Sequence, residues 1–346
     1  MARRILWGSL ALAPLTIVLH YAANIGDTAE FILAAAALIP LAWLIGEATE
    51  HAAHHTGPGI GGFLNATFGN APELIIALIA VNEGLTEVVR GSLTGSVVGN
   101  LLLVLGFSLA VGPPGRLDRK SSMISMGLVA LATVLFLIPS VPAWTGGDPD
   151  RHSLAVVSLP VCIALLAVYV GVTWYTLRRH RAAHTPAEAS ADSWSFAHAL
   201  VVLGAATVVT AFVAETLVHT LEVFAEKAHL SDFFVAAVIV AIVGNAAEHG
   251  GAVVVAHRGQ LRLAAEIAFA SAAQVAVFLI PLVAILAWAI DPLSLAFRPV
   301  EIGVLAGSVA FTAALLWGGR STKWRGVALI GAYGVAATLF FLAGDR

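Results

Sequence analysis

The sequence predicts an all-α polytopic membrane protein, and three observations support that fold class. Hydrophobic residues make up 59% of the 346 positions and charged residues only 11%, whereas soluble domains carry about 25% charged residues. Long apolar stretches recur along the whole chain, and two copies of one polar motif lie inside them. The net charge of -3 is close to neutral, which argues against nucleic-acid partners. The expected surroundings are therefore a lipid bilayer.

Eleven apolar stretches are long enough to cross the hydrocarbon core, which takes about 20 helical residues. The first stretch follows Arg3 and Arg4, and we interpret it as a membrane helix because Tyr21-Ala22-Ala23 is a poor signal-cleavage site. The predicted spans are 5–22, 29–54, 60–81, 92–112, 121–141, 153–177, 196–224, 232–256, 263–290, 299–317 and 325–343.

The distribution of Lys and Arg predicts a cytoplasmic N-terminus. In that orientation the inner segments hold thirteen of the 18 basic residues, which also supports the number of spans. The expected organisation is an N-terminal transmembrane helix at 1–27, a first five-helix repeat at 28–177, a cytoplasmic linker at 178–195 and a second five-helix repeat at 196–346.

An internal repeat is the strongest feature of the sequence. Gly-Asn-Ala-x-Glu occurs at 69–73 and again at 244–248, an offset of 175 residues. Other polar positions recur in the same order: Ser96 and Ser271, Gly99 and Gln274, Glu47 and Glu215, and His51 and His219. The repeats begin five spans apart, so the second is inverted in the membrane. Inverted repeats with interrupted helices are typical of transporters that bind substrate near the midplane.

The two motifs are predicted to form a cation site between the halves. Glu73 and Glu248 lie inside apolar spans, where a carboxylate costs roughly 2.5–3.5 kcal/mol, and we expect no Lys or Arg at their depth. The motif glycines favour a break that frees backbone carbonyls, and Pro72 strengthens it in the first copy. Asn70 and Asn245 share a helix face with the glutamates. Carboxylate, amide and carbonyl oxygens are the ligands that Ca²⁺ prefers.

The same carboxylates suggest exchange against protons. Two ionised glutamates match the charge of one Ca²⁺, and without the ion two like charges in a dry site favour protonation. Occupancy by Ca²⁺ or by protons, but not by both, gives antiport. The residues expected in the proton path or the surrounding polar shell are Glu47, Glu215, Ser96, Asn100, Ser271, Gln274 and His51.

A second polar cluster lies at the inner end of the second predicted span. It contains Glu47, Glu50, His51, His54 and His55. Three interpretations stay open: a proton relay or pH sensor, since histidine titrates near neutrality, a transition-metal site, and a polar helix end at the interface.

The motifs resemble those of the Ca²⁺/H⁺ antiporters, the cation/proton exchangers of the Ca²⁺/cation antiporter superfamily. His249 after the second motif and the segments at 95–102 and 270–274 fit the same pattern. The resemblance covers roughly residues 40–115 and 205–290. It implies a Ca²⁺ site at Glu73 and Glu248 helped by Asn70 and Asn245, and accessory roles for Glu47 and Glu215. It also implies alternating access by sliding of the second and seventh spans against the rest.

Two departures from the family pattern point to a compact prokaryote-like member in a cytoplasmic membrane. The linker at 178–195 holds only Glu188 and Asp192 as acidic residues, and no long N-terminal extension like that of plant vacuolar members precedes the first span.

The expected substrates are Ca²⁺ and H⁺, with no cofactor and no enzymatic activity, and the sequence leaves an oligomer open. One alternative is a Na⁺- or K⁺-coupled exchanger or a monovalent cation/proton antiporter. The other is a membrane-embedded metal-dependent enzyme that uses the cluster around His51. That interpretation lacks a His-Glu-x-x-His sequence and leaves the repeat unexplained.

Overall fold

The computed structural model describes residues 2–23, 25–145, 148–181 and 194–345. Most of the predicted linker at 178–195 lies outside these ranges. The first half contains helices α1 (Ala2–Ser9), α2 (Leu12–Ala22), α3 (Asp27–Gly69), α4 (Ala71–Asn82), α5 (Thr86–Val98), the π-helical segment π1 (Gly99–Val104), α6 (Leu105–Val111), strand β1 (Gly115–Arg116), α7 (Arg119–Thr145) and α8 (His152–Arg181). The second half contains α9 (Phe196–Ala228), α10 (Asp232–Phe234), π2 (Val235–Val240), α11 (Ala241–Gly244), α12 (Ala246–His257), α13 (Leu261–Gln274), π3 (Val275–Leu279), α14 (Ile280–Ala287), α15 (Pro299–Leu316), strand β2 (Arg320–Ser321) and α16 (Lys323–Ala343).

The all-α polytopic membrane fold is confirmed. Within the described ranges, nine helices are long and apolar enough to cross a membrane, and a bent pair at Asp232–His257 raises the number to at most ten. The predicted count of eleven is not confirmed, because the described residues of the predicted span at 60–81 include only the shorter apolar helix Ala71–Asn82, whereas Asp27–Thr56 counts as a span. The chain runs as one helix, α3, and continues after a break as the short α4.

Helix α3 turns back on itself between residues 49 and 67. Ile45 and Ala48 share an apolar cluster with Ala71 and with Leu203 of α9. A straight helix would separate Ile45 from Ala71 by about 39 Å at 1.5 Å per residue, too far for a shared cluster. The chain therefore reverses direction here, as two successive spans require.

Helices α3 and α9, which begin the two halves, lie antiparallel. Phe31 stacks on Phe224 with ring centroids 4.1 Å apart, and at the opposite end His51 stacks on Trp194 at 4.5 Å. An antiparallel pair is the arrangement expected from the predicted inversion of the two halves.

π-helical turns interrupt corresponding helices of the two halves. π1 follows α5 at Gly99, and π3 follows α13 directly after Gln274, the residue that the repeat offset of 175 relates to Gly99. Such turns are rare and occur often at functional sites. Both lie a few residues beyond the repeated serines, Ser96 and Ser271.

A buried ion-pair network holds one end of the bundle together. Arg90 of α5 is 1% exposed and donates to Asp150 at 2.7 Å and to Glu87 at 2.9 Å. The fully buried Glu301 accepts from the Arg298 N–H at 2.7 Å and from the Thr94 hydroxyl at 3.3 Å. The predicted span at 92–112 would leave Arg90 in the segment before it. The structure starts α5 at Thr86 and buries this arginine within the helix.

Replacing Arg90 by Leu is expected to destabilise the protein strongly. The change leaves Asp150 and Glu87 without their buried cation, and removing one partner of a buried ion pair costs on the order of 3 kcal/mol or more. The unfolding temperature in detergent measures the loss. Arg262→Leu is the matched control, because the side chain of Arg262 is 64% exposed in its pairs with Asp118 and Glu266, and exposed pairs contribute little. Equal unfolding temperatures for the two variants would contradict the network's structural role.

Candidate functional site

Each Gly-Asn-Ala-x-Glu motif breaks its helix at the asparagine. Asn70 separates α3 from α4 with φ -100° and ψ 14°, and Asn245 separates α11 from α12 with φ -91° and ψ 7°. The second break bends the axis by 59°. Pro72 lies in the first turn of α4, where its missing N–H costs no intrahelical bond. The near-identical backbone at both asparagines places each glutamate in the first turn of a new helix.

The two motifs face each other, and each glutamate lies against the glycine of the opposite motif. A Cβ atom built on Gly69 would lie 3.5 Å from Glu248 Oε1, and one built on Gly244 would lie 3.7 Å from Glu73 Oε1. At Gly244 the nearest atom would be Glu73 Cγ at 3.2 Å, tighter than ordinary contact, so glycine there gives Glu73 room; the contact at Gly69 is an ordinary van der Waals distance. The two carboxylates are close enough to repel each other.

Side chains from the repeated serine positions complete the site. Asn245 Nδ2 donates to Ser96 Oγ at 2.8 Å, and Asn100 Nδ2 donates to the Ser96 carbonyl at 3.0 Å. The Ser271 hydroxyl donates to Glu248 Oε2. The structure therefore joins Asn245, Ser96 and Asn100 in one set of hydrogen bonds and Ser271 and Glu248 in another, and Glu73 lies against Gly244, next to Asn245.

Three of the unsatisfied buried atoms at this site are oxygens that suit a hard cation. Among the described residues, Glu73 Oε2, Asn100 Oδ1 and Asn245 Oδ1 are buried without a hydrogen-bond partner. The amide nitrogens of both asparagines are already engaged, so the amide oxygens are the atoms left to bind a ligand. Buried acceptors without donors are unfavourable, and a bound cation or proton would satisfy them.

The remaining predicted residues are more distant or differently engaged. Asn70 is 1% exposed at the first break, and Gln274 is half-buried at the end of α13. Glu47 lies 3.8 Å from His51 on α3, and Glu215 lies on the exposed face of α9.

The histidine cluster of α3 contacts the start of α9. His51 stacks on Trp194, and His55 Nε2 lies 2.8 Å from the Trp194 carbonyl, while His54 approaches Glu50 only to 4.0 Å. In the described part of the chain no group of three His, Cys, Asp or Glu side chains is arranged to hold a metal ion. The transition-metal interpretation of this cluster therefore finds no support in the structure.

Sequence reasoning missed the charged residues that brace the helix carrying Ser96. Glu301 bonds Thr94 on α5, and Arg90 anchors the start of the same helix. The sequence feature that could have revealed them is the carboxylate of Glu301 inside the predicted span at 299–317. Its partners lie far away in the sequence, so no local pattern reveals the contact.

Replacing Ser96 by Ala is expected to weaken cation binding about fivefold to tenfold. The change removes the acceptor that orients Asn245, and a hydrogen bond of this kind contributes about 1 kcal/mol. Ser92→Ala is the control, because within the described residues the Ser92 hydroxyl donates to the Val89 carbonyl of its own helix and to no group of the site. Titration of Ca²⁺ binding to the purified variants measures the difference. An unchanged affinity in Ser96→Ala would remove this serine from the site.

Comparison with known proteins gives one consistent relationship. The model of the family described as sodium/calcium exchanger protein matches residues 27–178 and 198–342. The Ca(2+)/H(+) antiporter ChaA of Bacillus subtilis is 38% identical over 317 residues, which cover 88% of this chain and 90% of that protein. The vacuolar cation/proton exchanger 1 of Arabidopsis thaliana is 35% identical over 328 residues, with 88% and 71% covered.

Two solved structures share the fold. The structure of native YfkE superposes with a TM-score of 0.84 at 34% sequence identity, covering 97% of this chain and 99% of that one. The crystal structure of an H⁺/Ca²⁺ exchanger CAX gives a TM-score of 0.74 at 15% identity, covering 99% and 92%. The second similarity is one of fold alone.

Proposed function

The chain belongs to the sodium/calcium exchanger protein family and exchanges Ca²⁺ for protons, and we propose that Glu73 and Glu248 bind both ions in turn. The observation that carries this proposal is the approach of each carboxylate to the glycine of the opposite motif. It brings two negative charges and several unpartnered oxygens to one place between the inverted halves. Ca²⁺ takes six to eight oxygen ligands, and carboxylate, amide and backbone oxygens are the atoms available here.

Each residue of the site has a distinct part in the proposed exchange. The two glutamates supply the charge that matches Ca²⁺, and Asn70 and Asn245 supply amide oxygens at the helix breaks. Ser96 orients Asn245, and Ser271 orients Glu248. When Ca²⁺ leaves, the buried carboxylate of Glu73 and the half-buried carboxylate of Glu248 repel each other, and protons replace the cation. Because one ion excludes the other, a site open to one side at a time exchanges them.

The other predicted residues have accessory parts in this proposal. Glu47 and His51 lie on the same face of α3 and would pass protons from the cytoplasmic side, while Glu215 and Gln274 would serve the second half. With the N-terminus cytoplasmic, as the Lys and Arg distribution predicts, protons entering the cell would drive Ca²⁺ out across a prokaryotic cytoplasmic membrane.

Ion-driven proton movement in sealed vesicles tests the proposed function. Purified protein is reconstituted with an internal pH dye, and Ca²⁺, Mn²⁺, Na⁺ or K⁺ is added outside. We expect Ca²⁺ to drive proton movement and Na⁺ or K⁺ alone to drive none. Proton movement with Na⁺ or K⁺ but not with Ca²⁺ would show that the transported ion is a monovalent cation. The absence of movement with any cation would contradict antiport.

A further inference from the structure

A two-stranded ribbon at one end of the bundle places two arginines side by side. Strand β1 pairs antiparallel with β2, with Gly115 opposite Ser321 and Arg116 opposite Arg320. Ser321 is 2% exposed. Its hydroxyl accepts a hydrogen bond from the Gly115 N–H at 2.8 Å and donates one to the Gly115 carbonyl at 3.1 Å. A buried serine therefore fixes the register that sets the arginines opposite each other.

The arginine pair is electrostatically unfavourable as it stands. Directly opposite residues of an antiparallel pair project to the same face with Cβ atoms about 4.5–5.5 Å apart, and like charges there destabilise the pair. Both Arg116 and Arg320 are exposed. Among the described residues, neither arginine forms an ion pair with a carboxylate within 4.0 Å.

The neighbouring carboxylate is already engaged elsewhere. Asp118 follows β1 by two residues, and Arg262 donates to it at 2.5 Å. The N–H of Ser121, with that of Lys120 and the Arg262 guanidinium, holds the pKa of Asp118 below its ordinary value. Asp118 is thus ionised near neutral pH, but its charge is directed at Arg262 and leaves the Arg116–Arg320 pair unneutralised.

Further basic and aromatic side chains surround the pair. The set that we call the basic ribbon consists of Arg116, Arg119, Lys120, Arg320, Lys323 and Arg325. Trp317 and Trp324 beside it are 62% and 60% exposed. Arg119 lies over the Trp317 ring at 4.9 Å and Arg325 over the Trp324 ring at 5.7 Å. Exposed tryptophans of membrane proteins concentrate at the membrane–water interface, so the basic ribbon lies at the depth of lipid headgroups.

We propose that the basic ribbon binds the phosphate of an anionic phospholipid. A guanidinium pairs with phosphate oxygens through two parallel hydrogen bonds, and an anion between Arg116 and Arg320 removes their repulsion. The flanking tryptophans favour a lipid over dissolved phosphate, because their rings would lie at the boundary between the lipid headgroups and the acyl chains. The Lys and Arg distribution places these segments at the cytoplasmic leaflet, where anionic lipids attract basic clusters.

Thermal unfolding of the full-length protein in detergent tests the proposal. The additives are phosphatidylglycerol, phosphatidylcholine and inorganic phosphate. The ribbon variant carries both Arg116→Gln and Arg320→Gln. The control variant carries both Arg4→Gln and Lys227→Gln, which remove the same charge from exposed positions elsewhere. We expect phosphatidylglycerol to raise the unfolding temperature of the wild type and the control. The ribbon variant should need about thirtyfold more lipid, since each basic residue at the surface contributes about fivefold.

A charge-reversal variant keeps the test valid if the double substitution disturbs folding. Arg320→Glu places opposite charges across the ribbon, which stabilises an antiparallel pair. We expect it to unfold at a higher temperature than the wild type without lipid and to lose the response to phosphatidylglycerol. The proposal is overturned if either ribbon variant responds to phosphatidylglycerol like the control, or if phosphatidylcholine or inorganic phosphate stabilises the wild type equally.

Discussion

Glu73→Gln is expected to abolish Ca²⁺-driven proton movement while the protein stays folded. The substitution keeps the size of the side chain but removes one of the two charges that match Ca²⁺. Removing one partner of a buried charge interaction costs 2–5 kcal/mol or more, so Ca²⁺ affinity should fall at least about thirtyfold. Glu248→Gln should behave in the same way, because both glutamates lie in the first turn of a helix directly after a break at asparagine. The vesicle assay and Ca²⁺ titration of the purified variants measure both effects.

Glu83→Gln is the matched control for this prediction. Glu83 ends the same helix that Glu73 begins, and it is exposed. It should transport Ca²⁺ like the wild type. If Glu73→Gln and Glu83→Gln transport equally well, Glu73 does not bind the ion, and the site must lie elsewhere in the fold.

Gly95→Ala is expected to prevent the two halves from packing at the site. A Cβ atom at Gly95 would lie 1.9 Å from the Ala237 carbonyl oxygen and 2.8 Å from the Ala241 Cβ, so the backbone of π2 would have to move. Overpacking of this kind costs typically 1–3 kcal/mol when side chains can adjust, and here the obstacle is backbone. We expect loss of folded protein, or a decrease in unfolding temperature larger than the decrease caused by any other single Gly→Ala change in α5–α8.

Gly127→Ala provides the comparison, because a Cβ atom there meets nothing within 4 Å. Alanine is favoured over glycine inside a helix by roughly 0.5–1 kcal/mol. This variant should therefore be as stable as the wild type or slightly more stable. The close approach of α5 to π2 would be refuted if Gly95→Ala and Gly127→Ala yielded equal amounts of folded protein with equal unfolding temperatures.

The approach of the two motifs could be anticipated from local sequence, while their role as an ion site stays a prediction. Carboxylates inside apolar stretches are costly and therefore conspicuous, and Asn and Gly accompany both at fixed spacing. The break at Asn70 followed from Gly69 and Pro72. The motif thus predicted helix breaks that place Glu73 and Glu248 in the first turn of a new helix, whereas the inverted-repeat organisation stays a prediction.

Other features depend on tertiary contacts that no local pattern carries. Arg90 pairs with Asp150, which lies sixty residues away in the sequence. Without knowledge of that partner, a charged residue next to an apolar stretch is expected outside the membrane. The ribbon of β1 and β2 has only two residues per strand, too few for an alternating pattern. The sequence analysis did not predict that α3 extends to Gly69, because the polar residues at 51–60 suggest a connection between two spans. In the structure this segment stays helical while the chain reverses direction.

Proton release upon Ca²⁺ binding tests the central claim most directly. Calorimetric titration of the purified protein with Ca²⁺, repeated in buffers of different ionisation enthalpy over a series of pH values, counts the protons released per ion. If the same carboxylates hold Ca²⁺ or protons, the wild type should release up to about two protons per Ca²⁺ as the pH is lowered, with affinity falling in parallel, and Glu73→Gln with Glu248→Gln should release none. Tight Ca²⁺ binding without proton release at any pH, or release that persists in the double variant, would contradict exchange at this pair.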